Sequence, residues 1–337
     1  MALQLETVAL RQFSTMGVGG LAEMVRITDE DTLLRALDFA ETHNRTPFVL
    51  GGGSNILFPD EGVSDLIFYM QDQRVHYEAG QVTCGAGAVF DDVINTAVKR
   101  GWAGIECLSG IPGTAGAAPI QNIGAYGQEI AETLVRVRAW DRLTQAWVDL
   151  DRDACAFSYR DSRFKREANR YIITQIQLQL TPGGSAPLRY PDLQKADLDP
   201  SDLRAVRQTV LQIRASKGMV YDPFDVNSHS CGSFFTNPIL TAEEYALILP
   251  RLPADHPVYP AGTSIKLSAA WLIERAGIFK GTRRGNAATS QKHSLALINP
   301  GQASAHDLKD LARWVQEKVR TQFGVNLQPE PLVWGGL

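Results

Sequence analysis

The sequence predicts an α+β protein of two or three domains, and three observations carry that expectation. A chain of 337 residues is too long for one small core. Short strand-like runs end repeatedly in glycines: residues 47–50 run into Gly51, Gly52 and Gly53, and residues 81–84 into Gly85 and Gly87. Amphipathic helical patterns accompany both runs, at 31–43 before the first and at 89–100 after the second, until a long polar loop at 218–238, GMVYDPFDVNSHSCGSFFTNP, marks the border of a second type of domain.

The bulk numbers exclude several classes. Hydrophobic content of 44% and charged content of 21% are ordinary for a soluble globular protein. A net charge of −4 argues against a general nucleic-acid binder but allows a local basic pocket for a phosphorylated small molecule. No apolar run reaches the ~20 residues that span a bilayer. The first residues, MALQLETVALRQF, lack a basic segment followed by an apolar one, so a cytoplasmic protein is expected. Cys84, Cys107, Cys155 and Cys231 form no CxxC pair, so no metal site is signalled and free thiols are expected.

Taken in order, residues 17–23 (GVGGLAE) resemble a dinucleotide fingerprint but follow no apolar strand, so they are expected to form a structural turn. Residues 31–43 read as a helix with Leu33, Leu34, Leu37 and Ala40 on one face, and residues 47–50 as a buried strand. Residues 89–100 read as a helix with Phe90, Val93, Ile94, Ala97 and Val98 inward and Gly101 as its stop. Residues 134–140, 146–150 and 171–180 read as strands. Residues 181–193 form a Pro/Gly loop carrying Arg189 and Tyr190, and residues 183–195 are expected to be mobile until substrate binds, for want of packing partners. Residues 201–217 read as a helix that places Arg214 and Lys217 on one face, as a macrodipole pair or a diphosphate grip. Residues 264–277 read as a helix, 283–286 as a basic turn and 294–298 as a strand. Ser304 is expected to cap a helix that runs to Phe323 and closes at Gly324. The tail at 325–334 is extended, with Glu330 aimed by Pro329 and Pro331.

The most unusual stretch is 108–127, LSGIPGTAGAAPIQNIGAYG, with no charged residue and stiffened by Pro112 and Pro119. Glycines at this density let backbone N–H groups turn toward one point, an anion nest suited to a flat apolar cofactor with a phosphate. GGGSN at 51–55 forms a second wall of the same site. The turn at 157–162, FSYRDS, is open between a plain surface turn and a functional one.

Together the glycine loops, SYRDS, GSFFTNP and the Glu330 tail resemble the UDP-N-acetylenolpyruvoylglucosamine reductase family over about residues 13–334. The resemblance implies a two-subdomain FAD-binding module of the vanillyl-alcohol-oxidase (PCMH) type plus a C-terminal α+β substrate-binding domain. It sets boundaries at 1–67, 68–218 and 219–325, with 326–337 completing the first subdomain. Non-covalent FAD is expected on Gly51, Gly52, Gly53, Ser54 and Asn55, on Gly113, Thr114, Gly116, Ala117, Ile120, Asn122, Ile123 and Gly124, and on Arg214. Arg160, Ser233 and Glu330 are the implied catalytic three, and Tyr159, Tyr190, Lys217, Asn237 and His293 the implied substrate contacts. The loop reads GTAGAAP where the family more often has GTVGGAP, so the methyl of Ala117 requires a negative φ there.

The implied reaction reduces UDP-N-acetylglucosamine-enolpyruvate to UDP-N-acetylmuramate in peptidoglycan synthesis, with NADPH as co-substrate in a ping-pong sequence through the flavin. Arg160 suits the substrate carboxylate because its charge is permanent and its fork bidentate. Glu330 is expected to act as a neutral donor, and Ser233 to give a proton to the α-carbon. Cys231 is expected to pack rather than donate. A monomer that binds neither nucleic acid nor membrane is expected. Two other readings stay open: an oxidase of the same fold, disfavoured because ILFPDEG after GGGSN offers no His to tether FAD, and a non-catalytic nucleotide-sugar or flavin binder.

Overall fold

A computed structural model of the chain describes residues 3–337. It divides into two compact units: Met1–Val8, Ala22–Gly53 and Ser64–Val220 form the first, and Ala9–Leu21, Ser54–Val63 and Tyr221–Leu337 the second. The division cuts GGGSN between Gly53 and Ser54.

The first unit holds two sheets. In one, the strand Leu66–Met70 pairs in parallel with Leu21–Ile27 on one side and Pro47–Leu50 on the other. The second sheet is antiparallel, in the order Ala146–Asp151, Leu134–Asp141, Tyr171–Gln179, Gln81–Gly85, Val75–Glu78. Parallel strands need both faces covered, and Leu66, Ile67 and Phe68 are accordingly fully buried. The helix Glu30–Thr42, capped by Asp29, turns Leu33, Ala36 and Ala40 inward and leaves Leu34 exposed. Leu33, Leu37 and Ala40 thus face the core as expected, and only Leu34 differs, its place taken by the small Ala36, which lets the helix lie close. The helix Phe90–Lys99 buries all five of its expected residues.

Three other expectations are corrected. Gly17–Gly20 is irregular, but Leu21 already begins a strand. The glycines there serve a close backbone crossing, since a Cβ at Gly20 would lie 2.3 Å from the amide nitrogen of Gly62. Residues 181–193 are not a bare loop: Thr181–Pro182 pairs with Trp102–Ala103, Pro191–Gln194 forms a helical turn, and Ala186 and Leu193 are buried. Residues 264–277 split into the strand Ser264–Leu267, paired with Val258–Ala261, and the helix Ala269–Arg275. Ser268 causes the break by accepting a hydrogen bond from the Trp271 amide as N-cap.

The second unit packs around the helix Ala305–Phe323. Ser304 caps it, Leu308, Leu311, Val315 and Val319 point inward, and Gly324 ends it at φ +75°. Among the described residues no helix is long and apolar enough to cross a membrane.

The two longest strands of the antiparallel sheet are tied at their ends by Arg170, whose guanidinium reaches Asp141 at 2.8 Å. That contact holds the Asp141 carboxyl below its usual range, to about 2. A depressed folded pKa means that the stabilisation is complete above about pH 4 and is lost as pH falls toward 2. Asp141→Asn should lower Tm by a few degrees at neutral pH and flatten the acid limb of a Tm-against-pH curve between pH 4 and 2.

Candidate functional site

In the first unit the two glycine walls meet. Residues 113–116 lie along 86–90, with the Phe90 amide donating to Gly113 O at 3.1 Å, Ala115 to Ala88 O at 2.8 Å and Gly116 to Ala86 O at 3.0 Å. The approach is too tight for side chains. A Cβ at Gly52 would lie 2.8 Å from Gly113 Cα, one at Gly116 2.5 Å from the Ala86 methyl, and one at Gly51 2.6 Å from Thr114 Oγ1. Ala117 sits in the helical turn Ala115–Ala117 and is absent from the residues with positive φ, so its methyl is accommodated.

Besides Arg35 Nε, which stands 3.2 Å from Asp31, two buried donors among this unit's described residues have no hydrogen-bond partner. Thr114 Oγ1 is one and Arg214 Nε the other, although Arg214 Nη2 reaches Met219 O at 2.7 Å. Burial pushes the Arg214 guanidinium pKa down. An unsatisfied buried hydroxyl or guanidinium N–H is costly, and such groups are paired in most proteins by protein, water or ligand. A ligand with anionic oxygens and a flat ring system fits both the donors and the side-chain-free walls.

The turn carrying Arg160 is fixed to the same loop. Ser158 and Asp161 exchange backbone hydrogen bonds at 3.0 and 3.2 Å, leaving Tyr159 and Arg160 at the tip. Arg160 has φ +53°, at a turn position that glycine or asparagine favours. For an L-residue with a long side chain this costs about 1 kcal/mol, and an observed strain of this kind points to a side chain needed where it is. Three side-chain hydrogen bonds tie the turn to the glycine-rich loop: Ser162 Oγ to Ile120 O at 2.6 Å, Asn122 Nδ2 to Ser158 O at 3.1 Å, and Arg160 Nη2 to Gly124 O at 2.6 Å. The Arg160 guanidinium also stands over the Tyr159 ring, 5.1 Å from its centre. Ile120 and Ile123 also pack their side chains against the unit's core.

Tyr190 and Lys217 also converge in this unit. Lys217 Nζ pairs with Asp192 Oδ2 at 2.9 Å and stands 5.9 Å from the Tyr126 ring centre. Tyr126 meets Tyr190 edge-on, with centres 5.1 Å apart. Arg189 adds a bond to Gly127 O at 3.1 Å. Burial alone would depress the Lys217 pKa, but the Asp192 carboxylate outweighs it and the pKa is raised. The sequence reading missed Tyr126 and Asp192; only the position of Tyr126 beside Gly127, both at positive φ, hinted at a turn built to present a ring.

In the second unit Ser233 and Glu330 are brought onto neighbouring strands. The Glu330 amide donates to Phe234 O at 2.9 Å, Thr236 to Gln328 O at 3.0 Å, and Phe235 faces Pro329 in an antiparallel bridge. So it is backbone pairing, beyond the flanking prolines, that fixes Glu330. Asn55 Nδ2 donates to Glu330 O at 3.3 Å, and Leu332–Val333 continues in parallel with Ile56–Leu57. Phe234 and Phe235 are buried in the unit's core, so their rings anchor Ser233 from behind. Asn237 Oδ1 accepts from the Ala269 amide at 3.0 Å, and His293 Nδ1 from Leu295 at 3.1 Å. Burial pushes the Cys231 thiol up to about 12, consistent with packing rather than acid chemistry.

The fold carries an FAD-binding domain: the family model described as FAD binding domain matches residues 22–144. The model described as UDP-N-acetylenolpyruvoylglucosamine reductase, C-terminal domain, matches residues 222–334. The UDP-N-acetylenolpyruvoylglucosamine reductase of Streptomyces coelicolor is 41% identical, over 98% of this chain and 90% of its own. That of Mycobacterium tuberculosis is 41% identical, over 98% and 95%. The crystal structure of the Thermus caldophilus reductase superposes with a TM-score of 0.71 at 27% identity, covering 99% of this chain and all of that one. The chain belongs to the UDP-N-acetylenolpyruvoylglucosamine reductase family.

Thr114→Val should leave the ligand-free protein as stable as before or more so in a thermal melt, because it deletes an unpaired buried hydroxyl while keeping the shape. A fall in Tm would show that the hydroxyl is satisfied without a ligand.

Proposed function

We propose that this enzyme reduces the enolpyruvyl group of UDP-N-acetylglucosamine-enolpyruvate to give UDP-N-acetylmuramate, with NADPH as the source of reducing equivalents. The observation that carries the reading is Arg160: a guanidinium held in a strained turn that is bonded to the glycine wall at three points. Family membership supplies the substrate class. The net change is addition of a hydride to the β-carbon and a proton to the α-carbon of an enol ether. FAD, when bound, supplies the hydride.

The chain's own residues take the remaining tasks. Thr114 and Arg214 present their buried donors to the cofactor, beside Gly51, Gly52 and Gly116, whose missing side chains let the loop's backbone lie close against its neighbours. The residues after GGGSN include no His, which supports non-covalent binding. Arg160 orients the substrate carboxylate and stabilises the negative charge that develops on the α-carbon and spreads into that carboxylate. It keeps its charge at every relevant pH, and its planar fork fixes orientation as well as energy. Ser233 holds the proton destined for the α-carbon, and Glu330 supports it as a neighbouring donor. Lys217 and Tyr190 take the diphosphate, with Tyr159, Asn237 and His293 as further substrate contacts, and residues 219–325 form the substrate domain. A cytoplasmic monomer completes the reading.

Anaerobic stopped-flow separates these roles, because reduction of the flavin by NADPH and its reoxidation by the nucleotide are read independently. Ser233→Ala should leave the first step near wild type and slow the second by roughly 10²–10⁴, the usual loss of a general acid. Slowing of both steps alike would contradict the proton-donor role. Arg160→Gly should hold or raise Tm, since glycine accepts φ +53° without strain, yet abolish reoxidation by the nucleotide; normal reoxidation would make Arg160 a surface turn residue. Thr114→Val should weaken FAD about tenfold in a reconstitution titration, the value of one hydrogen bond.

A further inference from the structure

Asn122 belongs to a glycine-rich loop, yet its side chain is committed elsewhere. The residue is 1% exposed, with φ +45°. Its Nδ2 donates to Glu129 Oε2 at 2.7 Å and to Ser158 O at 3.1 Å, and its Oδ1 accepts from the Ala131 amide at 3.2 Å. A primary amide has two donor hydrogens, and both have acceptors here. The carboxamide therefore bridges three segments: the loop that carries it, the turn at 129–131, and the turn at 158–161.

The neighbours of that bridge define its purpose. Residues 120, 122 and 124 alternate along the loop, and each meets the Arg160 turn: Ile120 through its carbonyl, Asn122 through its side chain, Gly124 through its carbonyl. The outer two bonds accept from the turn, on Ser162 Oγ and Arg160 Nη2. Of these three, the Asn122 bond runs the other way and takes hold of the turn's own backbone, at Ser158, the first residue of the pair that closes it; on the far side Lys165 Nζ holds the Arg160 carbonyl at 2.9 Å. A strained Arg at a turn tip returns to a relaxed conformation unless the surroundings over-determine it. Asn122 supplies that constraint from the middle of the ladder.

We propose that Asn122 is a positioning residue for Arg160, setting the direction of the guanidinium rather than contacting the cofactor through its side chain. The proposal rests on the reading that Arg160 holds the enolpyruvyl carboxylate. Misplacing a charge by about 1 Å can cost on the order of 100-fold in rate, so the role is measurable without loss of the fold.

The test is a double-mutant cycle on the FAD-loaded enzyme, with both half-reactions followed anaerobically. Asn122→Gly is the first variant, because φ +45° accepts glycine without strain and the change deletes only the side-chain bonds. Asn122→Asp is the second; it keeps the acceptor for Ala131 and loses the donor to Ser158. In either variant, reoxidation by the enolpyruvyl nucleotide should slow by about 10- to 100-fold, while reduction by NADPH stays within about twofold. Placed on Arg160→Ala, the same change should add almost nothing, since a residue acting through Arg160 has no target once it is gone. Additive effects on that background would overturn the proposal, as would loss of flavin from both variants, which would make the side chain a support of the cofactor loop. Normal reoxidation in Arg160→Ala alone would instead sink the underlying reading of Arg160.

Discussion

The close backbone contact between residues 113–116 and 86–90 is the constraint on which the first unit's site depends. Backbones approach this closely only where side chains are missing, and the clashes that a Cβ at Gly52 or Gly116 would meet show how little room remains. Once the loop is fixed there, the turns after Pro119 present Ile120 O, the Asn122 side chain and Gly124 O to the Arg160 turn. A strained arginine, a buried asparagine and a serine hydroxyl then form one hydrogen-bonded body with the glycine wall. Such a body needs little reorganisation when charge develops, which is the property electrostatic catalysis requires.

The second unit solves a different problem by ordinary means. Ser233 has little chemistry of its own, so its placement matters more than its identity. The two phenylalanines that follow it lie in the core, and the same segment is paired with residues 328–330 through Phe234 O and the Phe235–Pro329 bridge. Asn55 then ties Glu330 to the end of the GGGSN motif. One motif thus serves as close backbone approach in the first unit at Gly51 and Gly52, and as a clamp on the carboxylate's strand in the second.

Much of this was legible in the sequence, for reasons that can be named. The helices Phe90–Lys99 and Ala305–Phe323 carry clean 3.6-residue stripes with a glycine stop, so periodicity alone locates them and their faces. The site motifs were legible because glycine density and a proline-flanked carboxylate are rare without cause. The helix Glu30–Thr42 was misread at Leu34 because alanine weighs little in a hydrophobic stripe, although a small residue is what close packing on a sheet demands. The strand Ser264–Leu267 was lost because four residues of alternating character run directly into a helix, and only the capping serine separates them. Tyr126, Asp192 and the bridging role of Asn122 were beyond reach. Each depends on partners 25 to 64 residues distant, which no local pattern encodes.

The most direct test of the central claim is a single anaerobic titration of the purified wild-type enzyme. NADPH should bleach the flavin, and the enolpyruvyl nucleotide, added without oxygen, should restore its colour in proportion to the UDP-N-acetylmuramate formed. A flavin that NADPH bleaches but the nucleotide leaves bleached would contradict the account, since the site would then take up a hydride without delivering it to this substrate.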